Sequence, residues 1–211
     1  MLYYATINPA TLELLKALMK FDALKNFYLA GGTSLALQLG HRISVDLDLF
    51  TENEFETQLV VDDIQRKFRF KTVQQKEKNS LIINIEFPVG SGKFIKTDLL
   101  RYQYPLISDL FEIDGLRLAS IEDIIPMKLS AIANRGAKKD FFDIYELLHN
   151  FSLEQMMILF TRKFPNVEHF HILKSLTYFV DAEDDLTPVS INKTSWPQVK
   201  KQIGKAVAAY L

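Results

Sequence analysis

The chain has 211 residues, 48% of them apolar, enough for one large domain or two small lobes with a real core. Its 25 basic and 26 acidic residues leave a formal charge of -1, which excludes a global basic field, so any polyanion has to be met locally. Cysteine is absent, which excludes disulfides and thiolate metal sites, and the lack of a signal-peptide pattern or a long apolar run leads us to expect a soluble cytoplasmic protein with no membrane partner.

In chain order, Asn8 and Pro9 give an N-cap and first-turn signal ahead of Leu12, Leu15 and Met19, predicting a helix that ends near Lys20. A strand is predicted over Tyr28–Ala30, a helix over Thr33–Leu39, a strand over Val45–Phe50 and an amphipathic helix over Leu59–Phe68. Three more strands follow at Arg69–Val73, Leu81–Phe87 and Phe94–Leu100, the last two joined by a Gly-Ser-Gly turn, and a short extended piece covers Gly115–Leu118. Beyond Ser120 the pattern is helical: Ile121–Ala133, Lys139–His149, Leu153–Lys163, Phe170–Val180 and Trp196–Tyr210, with 181–193 as a loop. The expected fold class is α+β: a lobe with a mixed sheet over residues 1–118, then a mostly helical lobe over 119–211, with an active-site cleft between them.

The stretch "FYLAGGTSLALQLGHRISVDLDLF" carries the first chemistry. Alternation along a strand puts Asp46 and Asp48 on one face and Val45, Leu47 and Leu49 on the other. Two adjacent carboxylates ionise together only with a countercharge, and such hard oxygen donors suit Mg²⁺ or Mn²⁺. An isolated Asp-x-Asp is also compatible with two solvated side chains. The glycines shift that balance. Gly31 and Gly32 allow a sharp turn and close backbone approach at a helix start, with the Thr33 and Ser34 hydroxyls beside the free N–H groups, an anion seat just ahead of a cation-holding pair. "KFIKTDLLR" adds Asp98, with Lys96 on its face, as the candidate third carboxylate, and Glu86 competes for that role.

The helical half supplies positive charge. Lys128 and Arg135 are seven residues apart on one helix face. After Gly136, Lys138 and Lys139 precede a helix with the apolar stripe Phe141, Ile144, Tyr145 and Leu148, flanked by Asp140 and Asp143. Lys128, Arg135, Lys138 and Lys139 are expected to converge on the acidic centre. "VGSGK", residues 89–93, lacks the first glycine and the final Ser or Thr of a Walker A loop and reads as a hairpin turn. Trp196 reads as a docking residue for the last helix, and the four histidines form no zinc pattern.

Together, "LAGGTSLAL", "RISVDLDLF", "KTDLL" and "MKLSAIANRGAKKDFFDIYELL" resemble the AbiEii/AbiGii-type nucleotidyltransferase toxins, a branch of the DNA polymerase β-like superfamily. The resemblance covers about Phe27–Leu148 and leaves the tail beyond Asn150 unmatched. It implies nucleotide binding by Gly31, Gly32, Thr33, Ser34, Arg135, Lys139 and Asp143. It further implies metal binding by Asp46, Asp48 and Asp98, with Lys128 and Asp140 joining those three in catalysis. The implied reaction is transfer of a nucleoside monophosphate from an NTP, with Mg²⁺ or Mn²⁺, to an acceptor such as the 3′ end of a tRNA. The implied setting is a type IV-like toxin–antitoxin or abortive-infection system, whose antitoxin need not bind the toxin. A non-catalytic nucleotide-binding regulatory module is the alternative.

Overall fold

The cap at Asn8 forms as the sequence predicts: its side chain accepts a hydrogen bond from Ala10 N at 2.9 Å, and helix α1 runs over Pro9–Leu18. Its buried stripe is Leu14, Leu15 and Leu18, with Leu12 only partly buried. The computed structural model describes residues 1–74 and 78–211, which divide into two units. The first comprises residues 1–38, 44–105 and 110–119, and the second 39–43, 106–109 and 120–211.

In the first unit the described residues form a seven-stranded sheet in the order β3-β4-β5-β2-β1-β7-β6. The strands are β1 (Tyr28–Leu29), β2 (Leu47–Thr51), β3 (Phe70–Gln74), β4 (Ser80–Glu86), β5 (Phe94–Arg101), β6 (Phe111–Ile113) and β7 (Leu116–Leu118). Pairings β2–β5 and β1–β7 are parallel and the others antiparallel, so the sheet is mixed as expected. Leu47, Leu49, Leu81, Ile83, Ile85 and Leu99 point to one face and form a single core with α1 and with Val60 and Ile64 of α3 (Thr57–Gln65). Helix α2 (Gly31–Leu39) connects β1 towards β2. Val45 departs from the expected alternation. It precedes β2 and is 62% exposed, because pairing with β5 begins only at Leu47. Strand β6, with the exposed Phe111, was not foreseen. The 89–93 segment is the predicted hairpin turn between antiparallel β4 and β5.

The second unit packs α4 (Ile121–Arg135) on α5 (Lys138–Leu147), α6 (Leu153–Lys163) and α7 (His169–Thr177), and α8 (Trp196–Tyr210) on the last three. Ser120 caps α4, and Gly136 ends it in the left-handed conformation at φ 55°. A capping box at Ser152 and Gln155 starts α6. Trp196 lies against Phe141, Phe142 and Phe179, which is the docking role expected of it. Asp123, Lys163 and the 106–109 segment form a clamp: Lys163 Nζ lies 2.6 Å from Asp123, which also accepts from Ile107 N and Ser108 N.

Candidate active site

On the sheet, parallel pairing makes Asp48 and Asp98 direct register partners, so their side chains leave the same face about 4.8 Å apart at the backbone. That face is opposite the core-facing Leu47, Leu49 and Leu99. Asp46 stands one alternation before Asp48. One further step of the Leu47–Thr97 register sets it opposite Lys96. The Lys96 ammonium donates to Asp98 Oδ2 at 2.7 Å. Partial burial works against its charge, but the bond to Asp98 and the fields of Asp98, Asp46 and Asp48 prevail and raise its pKa. Asp98 Oδ1 is buried and has no hydrogen-bond partner. Glu86, the competing carboxylate, accepts from Gly92 N at 2.7 Å and holds the hairpin turn instead.

The glycine turn reaches this face directly. Gly31 has φ +65°, and a Cβ built there would stand 2.7 Å from Asp48 Oδ2. Only glycine fits that approach without displacing the carboxylate. Ala30 N donates to Asp48 O at 3.0 Å, tying the turn to β2. The Thr33 hydroxyl donates to the Asp46 carbonyl and lies 2.8 Å from Ser44 Oγ, while Ser34 Oγ accepts from Gln38 Nε2 at 3.1 Å. Both hydroxyls are buried. Thr33 fastens the turn to the segment carrying Asp46, and Ser34 bonds within α2, so what the turn offers an anion is its backbone N–H groups and the positive end of α2.

In the helical unit, Lys128 Nζ lies 2.9 Å from Asp140 Oδ1 and 2.6 Å from Asp143 Oδ2. Arg135 makes a two-pronged contact with Asp140, at 2.8 and 3.0 Å. Arg42 makes another with Asp143, at 2.7 and 2.9 Å, and His41 Nε2 stands 2.7 Å from Asp143 Oδ1. Burial opposes ionisation of both aspartates, yet Lys128 overrides it for each, helped by Arg135 at Asp140 and Arg42 at Asp143. Asp140 is lowered, and Asp143 is held well below the usual carboxylate range. Lys128 is raised, burial again opposing and Asp143 and Asp140 prevailing. His41 and Arg42 went unnoticed in the sequence. They lie about a hundred residues from their partner in a short polar connection with no periodicity. Lys138 does not join this cluster. Its ammonium donates to the Glu183 and Asp185 carbonyls at 3.0 and 2.6 Å, whereas Lys139 is exposed.

Residues 13–207 match the family described as "Nucleotidyl transferase AbiEii toxin, Type IV TA system". The chain belongs to this family. The match runs well past Asn150, so the helical tail that resembles no motif is part of the family's length. An uncharacterized Aquifex aeolicus (strain VF5) protein, aq_aa25, is 33% identical over 209 residues, covering 94% of this chain and 95% of that one. Among solved structures, JHP933 from Helicobacter pylori is similar with a TM-score of 0.61 at 17% identity, covering 96% and 92% of the two chains. A putative nucleotidyltransferase from H. pylori reaches 0.59 at 20% identity, covering 96% and 95%. MenT4, the nucleotidyltransferase toxin Rv2826c of Mycobacterium tuberculosis H37Rv, reaches 0.57 at 15%, covering 92% and 78%. These likenesses bear out the expected α+β nucleotidyltransferase fold.

For this AbiEii member, the sheet face suits a hard divalent ion on three observations: the oxygen donors Asp46, Asp48 and Asp98, the partnerless buried Asp98 Oδ1, and the room left by the absent Gly31 Cβ. Among the described residues, no three His, Cys, Asp or Glu side chains stand grouped so that they could hold a metal ion as they are placed. Lys96 stands among the acids in that arrangement. Also among the described residues, no helix is long and apolar enough to cross a membrane.

Proposed function

We propose that the protein transfers a nucleoside monophosphate from an NTP to a nucleic-acid hydroxyl, with the 3′ end of a tRNA as acceptor, and that this is the toxic activity of a type IV toxin–antitoxin pair. Its antitoxin would act without forming a stable complex. The observation that carries the reading is the register pair Asp48–Asp98 with the Gly31 backbone pressed against Asp48.

In this mechanism the Gly31–Gly32 turn and the start of α2 bind the triphosphate through backbone N–H groups. Asp46, Asp48 and Asp98 would hold Mg²⁺ or Mn²⁺, which when bound neutralises phosphate charge and eases departure of pyrophosphate. The acceptor oxygen attacks the α-phosphorus in line, and its proton passes to the Asp98 carboxylate. A new O–P bond forms as the bond to the bridging oxygen breaks and pyrophosphate leaves. Lys128, with Arg42 and Arg135, is a positioning residue in this reading, because its ammonium is committed to Asp140 and Asp143. Lys139, exposed at the start of α5, would contact nucleotide or acceptor phosphate in this reading.

The test is incubation of the pure protein with each labelled NTP, Mg²⁺ and bulk tRNA. Wild type should label tRNA and Asp48→Ala should not, while melting near the wild-type temperature. Equal labelling by the two proteins would remove the assignment. Nucleotide binding without transfer to tRNA or to any component of a cell extract would favour a regulatory module.

A further inference from the structure

Lys96 sets a partly exposed ammonium beside the carboxylates of the sheet face. It is on β5, two residues before Asp98, and points to the acidic face. Its side chain is 43% exposed, so it could extend into solvent, yet it folds back onto Asp98 Oδ2 at 2.7 Å. By register it also lies opposite Asp46, and its charge is held by Asp98, Asp46 and Asp48 together. The two oxygens of Asp98 are therefore unlike: one carries the lysine and the other is buried with no partner. A surface ion pair would leave the second oxygen exposed to solvent, whereas Asp98 Oδ1 is buried. The arrangement is that of a cation site with a tethered cation in it.

The geometry points to Lys96 as an internal stand-in for the divalent ion, neutralising Asp46, Asp48 and Asp98 in the metal-free protein and giving up Asp98 Oδ2 when the ion enters. This inference rests on the metal-holding role proposed for the three aspartates. Two consequences follow from electrostatics. A cation that must be displaced weakens ion binding, and a carboxylate triad stripped of it is self-repelling until an ion arrives. Lys96 would thereby tie the shape of the acidic face to metal occupancy: closed on lysine without the ion, open to it with the ion.

The experiment is direct Mn²⁺ binding to the full chain, read as loss of the free-ion EPR signal, for wild type, Lys96→Met, Lys96→Gln and Asp48→Asn. Melting is measured in EDTA and in saturating Mn²⁺. Lys96→Gln keeps a donor for Asp98 and removes only the charge, so it also covers the case in which Lys96→Met fails to fold. Both Lys96 variants should bind Mn²⁺ about tenfold more tightly than wild type, the effect of one unit charge a few ångströms away in a half-exposed setting. Both should melt lower in EDTA and recover in Mn²⁺. Unchanged or weaker binding in the Lys96 variants, with the ion lost in Asp48→Asn, overturns the role of Lys96 and leaves the metal-holding reading standing. Tightening in Lys96→Met but not in a folded Lys96→Gln traces the effect to the hydrogen bond and also overturns it. Mn²⁺ binding by Asp48→Asn equal to wild type, or no binding by any of the four, removes the metal site and this inference together.

Discussion

Two groups of aspartates in this molecule meet the same electrostatic problem in opposite ways. On the sheet, Asp46, Asp48 and Asp98 are half-buried, share a face through strand alternation and parallel register, and feel the charge of Lys96, with one Asp98 oxygen left without a partner. Among the helices, Asp140 and Asp143 are fully buried and saturated by Lys128, Arg135, Arg42 and His41. In that network the aspartate oxygens are all taken, and the atom left without a hydrogen-bond partner is His41 Nδ1, a ring nitrogen at its edge. An open one stores an affinity for what it lacks. Under the proposed function chemistry belongs on the sheet and scaffolding among the helices, and substitutions in the two groups should differ in kind.

The largest expected effect is in activity. Asp48→Ala should lower nucleotide transfer by about a thousandfold or more, several kcal/mol of charge stabilisation, and leave melting unchanged or raised, since it relieves a like-charge pair. A matching loss of stability would blur the distinction between the groups.

Next comes Asp143→Asn, which should reverse the pattern. It leaves buried Lys128 with Asp140 alone and takes from buried Arg42 the carboxylate it grips, and breaking such a network costs about 3–5 kcal/mol of stability. Denaturant unfolding measures it, and activity should fall only as the folded fraction falls. The pH dependence has the same origin. Folded Asp140 and Asp143 have depressed values, so their contribution is fully present above the ordinary 3.8 and is lost as pH falls through their lower folded values. Acid unfolding of Asp143→Asn should accordingly be less steep below about pH 4 than that of wild type.

Gly31→Ala sharpens the comparison on the sheet side. The left-handed backbone costs a residue with a Cβ about 1–2 kcal/mol, and the new methyl would meet Asp48 Oδ2 at 2.7 Å. Transfer should drop by more than the stability change explains, because the carboxylate must move from its place beside Asp98. Equal losses in the two measurements would make the glycine a turn residue and nothing more.

How much of this was readable in advance follows from where the partners lie. Helices with local signals were placed closely: Ser152 and Gln155 frame α6, and Leu153–Lys163 emerges as predicted. The Asp46–Asp48 face and the companionship of Lys96 with Asp98 were legible because alternation is a local rule. The fates of Thr33 and Ser34 were not, since helix starts commonly offer hydroxyls to ligands and only tertiary contact decides that these two turn inward. Asp140 and Asp143 were expected to flank an apolar stripe, as burial statistics for aspartate suggest. Their complete burial depends on Arg42 and His41, brought from far along the chain. Strand β6 escaped because its edge position exposes Phe111 and leaves no hydrophobic alternation to detect.

Arg135→Gln should have the smallest effect and tests the boundary between the two groups. Its guanidinium grips Asp140 with two bonds, yet the side chain is 55% exposed, and Asp140 keeps Lys128 at 2.9 Å after Arg135 is removed. A half-exposed pair with a surviving buried partner is worth about 1 kcal/mol or less. Because that pair is exposed, its contribution should shrink further in high salt, unlike that of Lys128. If Arg135 only steadies Asp140, transfer in Arg135→Gln stays within a few-fold of wild type, with KM for the NTP unchanged. A large rise in KM with unaltered melting would mean that the guanidinium leaves Asp140 to grip phosphate. The helical group would then take part in binding, and the separation of chemistry from scaffold would fail at that residue.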